Sequence, residues 1–288
     1  MIGLIGGSGI SQLQGIENQE WVTVETPFGH PSDQIMLGDI QGCRFAFLPR
    51  HGRGHFISPS SINYRANIFA LKKLGVTQII SISAVGSLQE ELSPGTFVVV
   101  DQFIDRTIAR KKSFFETGCV AHVSLAEPIC HRLGDHLEQQ GKALDFPIVR
   151  NGTYLVMEGP QFSTKAESKM YRSWGCDVIG MTNMPEAKLA REAEMCYATL
   201  AMVTDYDCWH PNHDHVTVQQ IIETSVSNSK KAVELVQKLI PEVSKDKHSA
   251  SCVCQHALNN AIMTADFAKD KQVLQNLECL LNRQEQEA

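Results

Sequence analysis

Two rhythms of apolar and polar positions run along this chain: short unbroken apolar runs, and longer stretches with apolar residues every three to four positions. The runs at 2–5, 44–49, 76–83, 96–104, 152–157, 177–181 and 198–203 are bounded by turn-forming residues and read as buried strands. Between them, 61–74 carries Ile62, Ala66, Phe69 and Ala70 at helical spacing, with Gly75 where a C-cap belongs. Thr217 and Gln220 resemble a capping box that opens a helix running to about Leu239. This alternation predicts an α/β fold, a mixed and mostly parallel central sheet flanked by helices. The polar stretch 241–248 reads as a linker, so the expected organisation is a main domain over 1–243 and a C-terminal helical extension over 244–288. In that extension Val273, Leu274, Leu277, Leu280 and Leu281 form one apolar stripe, which must pack on the same domain or on a neighbouring subunit.

With 288 residues and 43% hydrophobic content, the chain can bury a sizeable core. Its net charge of −6 argues against a general nucleic-acid binder, so any phosphate must be held by a local cluster. No signal-peptide pattern opens the sequence, and no apolar run approaches the roughly 20 residues that span a bilayer. The expected location is cytoplasmic, without membrane contact. Nine cysteines, an odd count without small-scaffold spacing, fit a reduced interior. Cys252-Val253-Cys254 stands apart and reads as structural or redox-responsive. A strained disulfide, a soft metal, or pairing with Cys196 or Cys208 are the alternatives to plain reduced thiols, which a cytoplasmic protein favours.

Candidate chemistry gathers at strand ends. The apolar run 198–203 finishes in Thr204-Asp205-Tyr206-Asp207-Cys208-Trp209, and two acids there need partners. An aminopurine supplies them: its N7 takes a proton from a carboxyl and its exocyclic amine donates to a carboxylate. Gly6-Gly7-Ser8-Gly9 after the first strand offers backbone N–H groups and a hydroxyl to an anion. It fits neither the dinucleotide fingerprint, whose third glycine would fall at Gln12, nor a nucleotide P-loop. Arg50-His51-Gly52-Arg53-Gly54-His55 is a basic cluster suited to a small dianion, and Ser83-Ala84-Val85-Gly86-Ser87 is a third small-residue turn. His210-Pro211-Asn212-His213-Asp214-His215 lacks the register of a metal site and reads as a polar loop over the pocket. There is no Gly-x-Ser-x-Gly elbow and no singled-out nucleophilic cysteine.

These segments, together with Asn63-Tyr64-Arg65-Ala66-Asn67, Glu158-Gly159-Pro160-Gln161-Phe162-Ser163-Thr164, Gly180-Met181-Thr182 and Pro185-Glu186, closely resemble the 5′-methylthioadenosine phosphorylases of the trimeric purine nucleoside phosphorylase superfamily. The similarity spans roughly residues 1–240. It implies a phosphate site of Ser8, Arg50, His51, Ser83 and Thr182, with Ala84 contributing its backbone. It also implies Met181 under the ribose, Phe162 against the purine, and Ser163, Asp205 and Asp207 along the purine edge. Val216, Val218, Ile221 and Ile222 would form an apolar pocket for the 5′ substituent, and His122 would reach an adjacent subunit's site. The activity implied is phosphorolysis of methylthioadenosine by a homotrimer or hexamer, with Asp205 as general acid beside Asp207 and neither metal nor organic cofactor in the reaction. The rival readings are a phosphorylase of 6-oxopurine nucleosides, for which an amide would suit the pocket better than two acids, and a nucleoside-binding protein without catalysis. The tail looks like that of extended archaeal-type enzymes, in which it covers the 5′ pocket.

Overall fold

The computed structural model describes residues 1–7, 15–210, 218–246 and 251–282. Nine strands form one sheet: β1 (Ile2–Gly6), β2 (Glu17–Val22), β3 (Ile35–Ile40), β4 (Cys43–Pro49), β5 (Gln78–Ser87), β6 (Phe97–Asp105), β7 (Ile148–Val156), β8 (Val178–Gly180) and β9 (Cys196–Tyr206). Its order is β2-β3-β4-β1-β5-β8-β7-β6-β9, and β9 pairs back onto β5, so five of the strands close into a ring. Parallel pairs join β1 to β4 and β5, β5 to β9, and β7 to β6 and β8; antiparallel pairs complete the mixed sheet.

Strands β1, β5 and β9 are nearly continuous apolar runs because both their faces are covered. Among the described residues six α-helices surround the sheet: α1 (Tyr64–Lys73), α2 (His131–Ala143), α3 (Lys165–Ser173), α4 (Asn183–Glu192), α5 (Val218–Lys245) and α6 (Lys271–Leu281). Asn63 caps α1 by accepting from Ala66 N at 3.1 Å, and Gly75 beyond it takes a φ of 84°, the left-handed turn expected there. A reciprocal Thr164–Glu167 capping box starts α3.

The C-terminal part differs from the sequence expectation in one respect. Helix α5 does not stop near Leu239 but continues through Pro241 to Lys245, so the expected boundary at 243 falls inside a helix. Ala232, Leu235, Val236, Leu239, Ile240 and Val243 lie buried along it, and this apolar face sustains the helix across the proline. The stripe on α6 packs on its own chain: Leu277 and Leu280 are buried in the main core, each worth about 1.5–3 kcal/mol. Residues 251–282 also join the body through Ala121 bridged to Ile262 and Met263 N donating to Val120 O at 2.8 Å. Among the described residues no helix is long and apolar enough to cross a membrane.

Candidate active site

The carboxyl ends of β1, β4, β5 and β9 point the same way, because these strands are parallel neighbours, and they converge on a cavity of about 350 Å³. Gly7 follows β1 into its wall, Arg50, His51 and His55 follow β4, and Ser83, Ala84, Val85 and Gly86 come from β5. Gly180, Met181 and Thr182 enter from β8, and Thr204, Asp205 and Asp207 from β9.

At the expected phosphate end, Arg50 is not a free cation. Its side chain is fully buried, with Nε donating to Glu186 Oε2 at 2.9 Å and Nη2 to Glu186 Oε1 at 3.2 Å and to Ser81 Oγ at 2.6 Å. Nη1 donates to Ile82 O at 3.0 Å, which leaves its second hydrogen without a protein acceptor among the described residues. Glu186 outweighs the desolvation of Arg50 and holds it protonated. A guanidinium fixed by a bidentate carboxylate presents one donor in one direction. Glu186 is in turn held by Ser81 Oγ at 2.6 Å and Tyr197 OH at 2.8 Å. Asn183 Nδ2 reaches the Tyr197 and Thr199 hydroxyls, both at 2.6 Å, and its Oδ1 accepts from Ser83 Oγ at 3.0 Å. The sequence reading missed this platform. Its signal was the alternation of Ser81 and Ser83 on one face of an otherwise apolar strand, opposite the Pro185-Glu186 motif.

His51 Nδ1 lies 2.8 Å from Ile57 O, and a carbonyl only accepts, so Nδ1 carries the proton and Nε2 is an acceptor in the neutral ring. Burial, then the adjacent Arg50, lowers its pKa to about 4, so the ring is neutral at physiological pH. His55, the last residue of the basic cluster, stacks on it at 4.3 Å and also lines the cavity. Arg53 turns away from the cavity to pair with Asp33 at 2.8 Å and to lie over Trp21, which corrects its place in the basic cluster. Thr182 and Ser83 are buried in the cavity wall and Ala84 stands at its surface, while Ser8 lies outside the described residues.

The two acids owe their position to a β-bulge. Val85 pairs with Val203 but Gly86 pairs with Asp205, so Thr204 is an extra residue, its hydroxyl donating to Val85 O at 3.2 Å or to Asp205 Oδ1 at 2.6 Å. A bulge re-aims the strand, and Asp205 and Asp207, two apart, share the face it exposes. Gly86 leaves them room: a Cβ there would sit 3.3 Å from Asp205 Oδ2 and 3.5 Å from Asp207 Cβ. Burial pushes the Asp205 pKa up to about 6; the Thr204 hydroxyl opposes this and the charge of Asp207 adds to it. Burial also raises Asp207, against Ser168, the Cys208 N–H and Ser163, and its Oδ2 is buried with no well-placed hydrogen-bond partner among the described residues. Ser163 does not line the cavity; its hydroxyl stands beside Asp207 and 3.5 Å from Met157 Sδ.

Met181 lines the floor, and the buried Arg110 fixes its backbone through Nη1 bonds to Met181 O at 2.6 Å and Met184 O at 2.7 Å. Phe162 lines the mouth and is 62% exposed. Of the expected apolar 5′ group, Ile221 lines the cavity, but Ile222 is half exposed and outside it, because consecutive helical residues point about 100° apart. The face of α5 that carries Ile221 brings Ser225 and Ser229 instead, four and eight residues on, and apolar cover also comes from Val85, Met157, Ile179 and Met202. Val216 lies outside the described residues, and the side chain of Val218 with it. His122 is exposed, its N–H bonded to Ala261 O at 2.9 Å, and is not brought to this chain's cavity. Of the histidine-rich segment only His210 is described, and it meets Glu90 at 3.0 Å.

A Gly-rich first strand end, an oriented arginine and two acids with raised pKa values in one crevice match a defined class of protein. The chain belongs to the phosphorylase superfamily, whose sequence pattern matches residues 1–241. It is 56% identical over 284 residues to the S-methyl-5′-thioadenosine phosphorylase of Rhodospirillum rubrum, covering 98% of this chain and 96% of that one. Among solved structures, a methylthioadenosine phosphorylase from an antarctic soil metagenomic library is 46% identical, with a TM-score of 0.93 and 98% of each chain covered. A variant of the Schistosoma mansoni adenosine/methylthioadenosine phosphorylase in complex with methylthioadenosine is 36% identical, with a TM-score of 0.82, covering 89% of this chain and 96% of that one.

Proposed function

We propose that the protein cleaves S-methyl-5′-thioadenosine with inorganic phosphate to adenine and 5-methylthioribose 1-phosphate. The observation that carries this reading is the placement of a raised-pKa acid pair and an oriented arginine in one cavity of nucleoside size. High identity over nearly the whole length to methylthioadenosine phosphorylases supports it.

In the reaction a phosphate oxygen bonds to C1′ as the C1′–N9 bond breaks, its electron pair leaving with the base. Asp205, protonated, gives its proton to N7, and Asp207 accepts from the exocyclic amine. The free Nη1 donor of Arg50, the hydroxyl of Thr182, the N–H of Ala84 and Ser8 from the first turn hold the phosphate, joined by the Ser83 hydroxyl when it turns its one proton from Asn183 Oδ1 to the anion. His51, with Nε2 as acceptor, takes the proton of monohydrogen phosphate as a hydrogen bond. Met181 supports the ribose, Phe162 covers the purine, and Ile221 meets the methylthio group. The working unit in this reading is a cytoplasmic homotrimer, to which a neighbouring copy brings His122.

Incubating the purified protein with methylthioadenosine, adenosine, methylthioinosine and inosine, each with and without phosphate, tests the reading. Base release should be phosphate-dependent and fastest with methylthioadenosine. Equal release without phosphate, or preference for a 6-oxopurine, would refute it.

A further inference from the structure

Four cysteines from three stretches of the chain meet away from the nucleoside cavity. Cys130 sits at the N-terminus of α2, Cys196 opens β9, Cys252 immediately precedes the short 3-10 turn at Val253–His256 in the C-terminal extension, and Cys254 lies within it. Their sulfurs all lie within 4.8 Å of one another, with Cys130 Sγ and Cys252 Sγ at 3.6 Å. Cys130, Cys196 and Cys254 are buried and Cys252 is half-buried. Cys208, the other partner considered for the Cys-x-Cys motif, is elsewhere and donates to Ser163 O. None of the four lines the cavity that holds the acid pair.

We propose that Cys130, Cys196, Cys252 and Cys254 form a structural site for a zinc ion, which fastens the C-terminal extension to α2 and β9. The donor count, the donor type and the spacing each point that way. Four thiolates with no other donor select a soft cation and disfavour magnesium, calcium and manganese. Four protein ligands with no open position mark a structural site, whereas a catalytic zinc keeps a place for water. A Zn–S bond of about 2.3 Å sets the edges of the sulfur tetrahedron at about 3.8 Å. No edge here exceeds 4.8 Å, so side-chain rotations that shorten the longest by about 1 Å close the cluster on the ion. Disulfides would need only pairwise approach, whereas all four sulfurs converge on one point.

The surroundings answer the charge of the site. Zinc with four thiolates carries two negative charges, which burial would make costly without a cation nearby. Arg132 offsets part of that charge: Nη2 lies 3.7 Å from Cys196 Sγ, while Nη1 donates to Asp246 Oδ2 at 2.5 Å just beyond the end of α5 and shares its charge with that carboxylate. An N–H donated to a ligating sulfur is the kind of outer contact that orients and tunes metal ligands. The ion thus joins the start of β9, the start of α2 and the extension at a point where the chain has just left α5.

Full-length protein, expressed with zinc and purified under reductant without chelator, should carry about one zinc per chain by plasma mass spectrometry. The Cys252→Ser/Cys254→Ser variant should lose at least about nine-tenths of it, because two of the four ligands are gone, and should become sensitive to protease in the extension. Should that variant fail to fold, the wild-type protein decides alone: cobalt added to zinc-depleted protein should give the intense d–d and thiolate-to-cobalt absorption of a tetrahedral sulfur site. Zinc well below stoichiometry together with a silent cobalt titration would overturn the proposal, whether the four thiols then prove free or peptide mapping finds them as disulfides.

Discussion

Replacing Asp205 by Asn should make the protein more stable and less active at the same time. The folded-state pKa of Asp205 is raised to about 6 by burial, with Asp207 adding to the effect. Its ordinary value is near 3.9, so the gap is about two units, or about 3 kcal/mol. A folded pKa above the unfolded one means that the native state binds the proton more tightly. Stability from this group is therefore greatest at low pH and is lost as pH rises from about 4 to about 6; above that the full cost of a buried charge remains. Asparagine keeps the acceptor for the Thr204 hydroxyl and removes the charge. The variant should gain up to about 3 kcal/mol at pH 8, about half of that at pH 5 and little below pH 4. Catalysis should move the opposite way, falling by ~10²–10⁴ because the proton for N7 is gone. In the wild type, kcat/KM for methylthioadenosine should decline as pH rises above about 6, and in the variant that limb should flatten. Urea unfolding at the three pH values, paired with adenine-release kinetics, measures both effects. A variant with unchanged turnover, or with no stability gain at pH 8, would refute the assignment of Asp205 as a buried acid of raised pKa.

Three further outcomes follow from particular contacts. Glu186→Gln leaves the buried Arg50 without its counter-charge, so it should cost about 3–5 kcal/mol in chemical denaturation and raise the KM for phosphate; a loss below about 1 kcal/mol would contradict a structural ion pair. Ile221→Ala should reduce the preference for methylthioadenosine over adenosine, expected at about 10–200-fold in the wild type, toward parity in kcat/KM, and an unchanged ratio would remove Ile221 from the 5′ pocket. Light scattering should give a trimer or a pair of trimers, and His122→Ala should raise the nucleoside KM more than it lowers kcat; a fully active monomer would contradict a site shared between copies.

The strands that carry the site were legible because each is a short apolar run whose polar interruptions fall at its carboxyl end. Asp205 and Asp207 declared themselves in this way, and so did Arg50 and His51. Less legible were β2, an edge strand with mixed exposure and two glutamates in 17–22, and β3, whose apolar run at 35–37 is broken by Gly38 and Asp39. The continuation of α5 past Pro241 was hidden because a proline stops a helix only where packing does not compensate, and here Ile240 and Val243 are buried on either side. The resemblance places Ile222 in the pocket together with Ile221, but adjacent residues on a helix point about 100° apart and only Ile221 lines the cavity. The partner of Arg50 was out of reach for a different reason: Glu186 lies 136 positions further along the chain, and local pattern carries no information on such pairings. The sulfur cluster has the same origin, since only the fold brings Cys130 and Cys196 to the Cys-x-Cys motif.

Phosphorus NMR of the purified protein acting on methylthioadenosine in phosphate buffer tests the central claim most directly. Inorganic phosphate should disappear and a sugar 1-phosphate resonance should grow in step with adenine, mole for mole. Adenine released while the phosphate signal stays constant would mean that water, not phosphate, attacks C1′, and would contradict the account.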